Sequence, residues 1–356
     1  MPAKRSLTLA LALLLVAAIP ARAAAFPAIT VLDTNSGTAG SNAYTSAAFN
    51  DYLYYAATNS AAGYELWRTD GTVLGTTLVK DIRSGADSSF PGGFTALNGY
   101  LYFRADDGVN GTEVWRTDGT TLGTTRVSDI NTSAGAGSSP DYFTALSGYL
   151  YFRADDGTNG TELWRTDGTP LGTTLVKEIN TNGGDSSYPA YFTAFNGYLY
   201  FQADDGTNGY EVWRTDGTTL GTTLVEDINI NVGGSSYPGY FTALGDYLYF
   251  GAADDDTGYD LWRVDGSGLT ESSSIPGTNA GIGCECFPVL NTLNGRLFMA
   301  MYSDETGSEL AYLDEPTFGL PGTNRDSSVW SAALVLLAAV TAAAGLTVRL
   351  REVKRA

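Results

Sequence analysis

The feature that most limits this chain is that it repeats itself. Trp67, Trp115, Trp164, Trp213 and Trp262 stand 48, 49, 49 and 49 residues apart. The string Glu65-Leu66-Trp67-Arg68-Thr69-Asp70-Gly71-Thr72 heads the series. Glu113-Val114-Trp115-Arg116, Glu162-Leu163-Trp164-Arg165, Glu211-Val212-Trp213-Arg214 and Asp260-Leu261-Trp262-Arg263 follow. A sixth, degenerate copy begins at Glu309-Leu310 and keeps Asp314, with Ala311 and Tyr312 in place of Trp and Arg. A fixed period of this length marks a repeat architecture, in which no unit buries its apolar surface alone.

Each period holds four short apolar runs divided by turn residues. In the second copy they are Phe94 to Leu97, Tyr100 to Ala105, Thr112 to Thr117 and Thr124 to Ile130. Asn98-Gly99 between the first two is a strong hairpin signal, and Tyr, Phe, Val, Thr and Trp suit strands. Each unit therefore reads as an antiparallel meander, A-B-C-D. Four-stranded units at this period fit a β-propeller, whose radial closure leaves only short edges exposed. The sixth copy has A, B and C runs but no D run. Ile29 to Thr34 resembles Thr77 to Ile82 and is expected to supply it, closing a six-bladed propeller over residues 26–315. The fold class expected is thus all-β.

The Glu-Leu-Trp-x-x-Asp-Gly-Thr string resembles the bacterial ELWxxDGT repeat family, over about residues 45 to 315. That resemblance implies a secreted, propeller-like repeat protein and no general activity. The Asp-Gly turns also resemble the Asp-box of sialidase propellers, with different spacing.

Both ends speak to location. Lys4 and Arg5, an apolar run from Leu7 to Ile19 and a small-residue site at Ala21-Arg22-Ala23 read as a signal peptide over residues 1–23. Residues 316–328 read as a linker. Residues 329–348 carry no charge; at about 1.5 Å per residue they cover about 30 Å, a bilayer's hydrocarbon thickness. The basic tail 349–356 then stays on the cytoplasmic side of this transmembrane helix. Leu320-Pro321-Gly322-Thr323-Asn324 resembles the sortase motif Leu-Pro-x-Thr-Gly, departing at Asn324, and Ile275-Pro276-Gly277-Thr278-Asn279 recurs upstream. The expected protein is exported and anchored to the cell membrane or cell surface, with the propeller outside.

Composition narrows the chemistry. The 356 residues include no His and 2 Cys, which excludes Ser-His and Cys-His nucleophile pairs and imidazole metal ligands. Residues 24–328 hold 13 basic and 38 acidic residues, a net charge of −25. Such a surface argues against nucleic acid as partner and favours cations or basic surfaces. Cys284 and Cys286 read as local structure, whether bridged, free or metal-bound.

Within each unit the repeated residues divide into scaffold and rim. Trp67, Trp115, Trp164, Trp213 and Trp262 are expected to fill the space between blades. Asp70, Asp118, Asp167, Asp216 and Asp265 are expected to bond the turn that follows them. The repeated Glu and Arg are expected to pair across blades. In a meander the B-C loops and D-A connections share one side. They gather Asp106-Asp107, Asp155-Asp156, Asp204-Asp205, Asp254-Asp255-Asp256 and Asp304-Glu305 with Phe90, Tyr188, Tyr237 and Phe287, each of these aromatics followed by Pro. This rim of carboxylates and aromatics suits sugars, cations or a basic protein surface. Calcium is one occupant of Asp-Asp-Gly-Thr-Asn-Gly, although Asp, Asn and Gly are also ordinary turn residues. No other cofactor is expected. The function expected is non-catalytic binding or adhesion at the cell surface, towards an extracellular glycan or protein. The alternative is a glycosidase or sialidase-like enzyme using the B-C carboxylates, with Arg104, Arg153 and the Trp-Arg series as its arginines.

Overall fold

The computed structural model describes residues 31–32, 34–35, 40–59, 61–254, 258–265, 272–274, 290–303 and 307–314. Among these, 23 strands form six antiparallel sheets, and no sheet closes on itself. The first sheet runs β1 (Tyr44–Phe49), β2 (Tyr52–Ala57), β3 (Glu65–Thr69) and β4 (Thr77–Lys80). The second runs β5 (Gly92–Leu97), β6 (Tyr100–Asp106), β7 (Thr112–Thr117) and β8 (Thr125–Arg126). The third is β9 (Asp141–Leu146), β10 (Tyr149–Asp155), β11 (Thr161–Thr166) and β12 (Thr174–Lys177). The fourth is β13 (Ala190–Phe195), β14 (Tyr198–Asp204), β15 (Tyr210–Thr215) and β16 (Thr223–Glu226). The fifth is β17 (Gly239–Leu244), β18 (Tyr247–Asp254), β19 (Gly258–Asp265) and β20 (Ser272–Ser274). The sixth has three strands, β21 (Leu290–Leu293), β22 (Arg296–Ser303) and β23 (Gly307–Asp314).

The first five sheets are the expected four-stranded meanders, and the sixth is a meander of three strands. The first strands of consecutive sheets lie side by side from β1 to β21. The Thr95 hydroxyl donates to the Phe143 carbonyl at 3.2 Å and the Thr242 hydroxyl to the Leu290 carbonyl at 3.1 Å, stitching these strands together.

Alternation along the strands gives the inner sheets two apolar faces, and neighbouring sheets interlock. Tyr54, Leu66, Val79 and Ile82 of the first sheet pack with Leu101, Phe103, Ala105 and Trp115 of the second. Tyr151, Leu163, Val176 and Ile179 of the third pack with Leu199, Phe201, Ala203 and Trp213 of the fourth. Trp164 and Trp262 serve the same role at two further interfaces. Trp115, Trp164, Trp213 and Trp262 thus lie between sheets, while Trp67 packs with Tyr55, Ala57 and Leu78 of its own sheet. Burying such a ring stabilises by several kcal/mol, at about 25 cal/mol per Å² over about 200 Å².

Of the segment expected to add a fourth strand to the last sheet, Val31, Leu32 and Thr34 are described, and none lies in a strand. Leu32 ends one compact unit, and Asp33–Ala356 belongs to a second. Ile29 and Thr30, the signal peptide, Cys284 and Cys286, Phe287, Asp255, Asp256, Asp304, Glu305, the linker, the apolar segment 329–348 and the tail lie outside the described residues.

Candidate functional site

The loop side of the sheets is built outward from a buried acid. Glu65, Glu113, Glu162 and Glu211 are fully buried. Each binds the connection between its own sheet and the next. The Glu65 carboxylate accepts from the Ile82 N–H at 2.7 Å, the Ser89 N–H at 2.9 Å and the Ser89 hydroxyl at 2.6 Å. Glu211 repeats this with Ile228 and Ser236. Burial pushes these carboxyls up, against the opposing effect of the hydrogen bonds, and takes Glu162 and Glu211 to about 7. The expected Glu–Arg pairing is therefore corrected: these carboxylates need short-range donors from the connecting chain, and Ser and backbone N–H supply them. Arg68, Arg116 and Arg165 point to the opposite side. Arg68 stacks over the Tyr52 ring at 4.3 Å and donates to the Gly119 carbonyl of the next sheet at 2.9 Å. Gly119 has φ +97°, and a Cβ there would collide with the Tyr54 hydroxyl, so this contact requires glycine.

The buried acid fixes the residue that follows its serine. Phe90, Tyr188 and Tyr237 all have positive φ, between 44° and 48°. Bulky side chains avoid this region, at a cost of about 1–3 kcal/mol each. Their N–H groups donate to the carbonyls of Tyr64, Thr161 and Tyr210, each at 3.2 Å, which holds the strained backbone. The rings end up 57%, 49% and 58% exposed. Phe90 stacks on Tyr64 at 5.7 Å, and Tyr237 on Tyr210 at the same distance. A second row comes from a bulge in the first strand of the third, fourth and fifth sheets, where Tyr142, Tyr191 and Tyr240 have φ of 58–59°.

The rim carboxylates are turned into their own loops. Asp107 accepts from the Val109 and Asn110 N–H groups at 2.9 and 2.8 Å and from the Asn110 side chain at 2.8 Å. Asp156 and Asp205 repeat the pattern. Burial raises Asp107 and Asp156, but these hydrogen bonds together outweigh it and hold both below the usual carboxylate range. Asp106, Asp155 and Asp204 accept from Gly108, Gly157 and Gly206, and Asp106 also pairs with Arg83 at 2.7 Å. Asp254 closes β18 opposite Gly258. Among the described residues no group of three or more His, Cys, Asp or Glu could hold a metal ion. On the other side, Asp70, Asp118, Asp167 and Asp216 each accept from the Thr two positions on, as predicted. Asp265 ends β19, beside residues that are not described.

A cleft opens on the loop side. Its volume is ≈ 550 Å³ and it is lined by Tyr44, Thr45, Phe90, Pro91, Gly92, Gly93, Arg104, Thr112 and Ser139. Tyr44 meets Tyr64 edge-on at 5.3 Å, and burial first, then the neighbouring Tyr64, raise its hydroxyl so that it stays a donor. Arg104 reaches Asp141 at 3.0 Å, and Arg153 approaches the other Asp141 oxygen at 3.8 Å. Arg153 also lies over the Tyr142 ring at 4.6 Å. Of the predicted site residues, Phe90 and Arg104, the latter named for the enzyme alternative, line this cleft. The sequence reading missed Tyr44 and Asp141; the signal for Asp141 was its place directly after the Pro that follows the aromatic position.

No family model matches the chain, and no curated protein matches it in sequence. Solved structures do match. One of two prolyl endopeptidases, studied for inter-domain dynamics in catalysis and specificity, is 14% identical, covering 79% of this chain and 43% of its own, with a TM-score of 0.50. A puromycin hydrolase is 13% identical, covering 72% of this chain and 42% of its own, with a TM-score of 0.44. The chain thus spans less than half the length of either hydrolase. The likeness to the prolyl endopeptidase shows a propeller-like, all-β fold, and it carries no activity with it.

Proposed function

We propose that the chain is a non-catalytic binding module, exported and held at the cell surface, that takes a glycan on its loop side. The six sheets form a ring in this reading. Support comes from Tyr55, Ala57 and Trp67, which are buried on the first sheet. Their counterparts Phe103, Ala105 and Trp115 are buried by the preceding sheet, so the first sheet has a face ready for the last. The observation that carries the binding reading is the cleft of ≈ 550 Å³ that joins exposed aromatic rings to Arg104. Aromatic rings beside a few placed polar groups are a usual feature of a ligand site, and the ring faces suit the C–H faces of a sugar.

The glycosidase alternative has less support. A catalytic acid must hold its proton near neutral pH. Asp107 and Asp156 are held low, while the raised Glu162 and Glu211 are fully buried. A glycan panel, scored for both binding and hydrolysis, tests the reading. Binding without turnover is expected. Turnover, or no glycan bound, overturns it.

A further inference from the structure

The first five units differ in a row beside the loops. Across the first two strands of successive sheets, the facing pairs near the loops are Tyr44 with Ala56, Gly92 with Arg104, Asp141 with Arg153, Ala190 with Gln202, and Gly239 with Gly251. No two pairs are alike. One residue earlier in the second strand, Phe103, Phe152, Phe201 and Phe250 each face a Trp. The fold therefore does not require arginine at 104 or 153, since Ala, Gln and Gly fill the same place elsewhere. Yet these two arginines converge on Asp141. One carboxylate cannot neutralise two guanidiniums, so the cluster keeps a positive charge within a segment whose net charge is −25. The Arg104 side chain is 40% exposed, and each guanidinium has five N–H donors, more than Asp141 can engage.

The space beside this cluster also arises from differences between units. Ser139 stands where other connections carry Phe90, Tyr188 and Tyr237. Gly93 stands where later sheets carry Tyr142, Tyr191 and Tyr240, beside Gly92, whose position is also glycine in the fifth sheet. Three small residues thus open the cleft between Tyr44 and Phe90.

We infer that this cleft is the subsite for an acidic saccharide, a uronate whose carboxylate docks on Arg104 and whose ring lies against Tyr44 and Phe90. Arg104 already binds one carboxylate, that of Asp141, and paired N–H donors suit that group. The anionic surroundings repel a long polyanion, so the ligand is a single terminal uronate on an otherwise neutral glycan. The inference rests on the glycan-binding reading and narrows it.

The test titrates the full chain, in detergent, with a glucuronate-terminated oligosaccharide and with its neutral glucose-terminated counterpart. The uronate should bind about tenfold or more tightly, the worth of a hydrogen bond to a charged group. Arg104→Gln, which copies the residue of the fourth sheet, should erase that preference. Gly92→Leu should block both ligands. If Arg104→Gln fails to fold, Arg153→Gln should reduce the same preference. Equal affinity for the two sugars, or a preference that survives Arg104→Gln, overturns the acidic-saccharide inference and leaves the glycan reading standing. No binding of either sugar, or of any glycan in the panel, overturns both.

Discussion

At the scale of single residues, the repeated glutamate is the chain's most expensive component. Burying a carboxylate away from a cation is costly unless its lone pairs are satisfied. Here a serine and two backbone N–H groups satisfy them. The site also accepts the neutral acid: protonated Glu211 donates to the Ser236 hydroxyl, which turns its own hydrogen to the Tyr210 carbonyl 3.3 Å away. Glu162 and Glu211 rise from an ordinary 4.5 to about 7. Below the ordinary value, both folded and unfolded chains hold the proton. Between there and about 7 the unfolded chain releases a proton that the folded chain keeps, so stability falls as pH rises. The loss is on the order of 3 kcal/mol per glutamate when complete. Thermal melts at pH 5 and pH 8 should give the higher midpoint at pH 5. Glu211→Gln should narrow the gap between them, and an unchanged gap would exclude this carboxyl as the titrating group. Ser139 offers a second prediction. It is exposed with φ +48°, so Ser139→Gly should raise stability by about 1 kcal/mol in denaturant melts.

At the scale of the sheets, stability comes from the interfaces more than from any one meander. Trp213 lies among Val176, Ile179 and Phe201 at the junction of the third and fourth sheets. Trp213→Ala should cost about 3–5 kcal/mol by urea unfolding; a cost below 1 kcal/mol would mean that the sheets stack loosely. This level was legible in the sequence. Asn-Gly and Asp-Gly-Thr fixed the turns, and alternation around Trp assigned the faces. The pairing of Glu with Ser was not legible. Glu211 and Ser236 are 25 residues apart, and alternation gives the face of a side chain but not which connecting chain folds over it.

At the scale of the whole molecule, repetition and irregularity divide the labour. The loop side and its aromatics could be read from the meander topology, since Phe90, Tyr188 and Tyr237 emerge where the connections place them. The cleft could not, because it depends on absence: Ser139, Gly92 and Gly93 leave room that only the register of neighbouring sheets reveals. The rim aspartates were the converse, conspicuous in the sequence and spent on their own turns. In the proposed reading the repeated residues are scaffold, and the variable row around Arg104, Asp141 and Arg153 binds the ligand. Titration of the glucuronate-terminated oligosaccharide into Asp156→Ala and Arg104→Gln, with a thermal midpoint for each, tests it most directly. Asp156→Ala should lose stability and keep its affinity, while Arg104→Gln should keep its stability and lose affinity about tenfold or more. The reverse pattern would contradict the division.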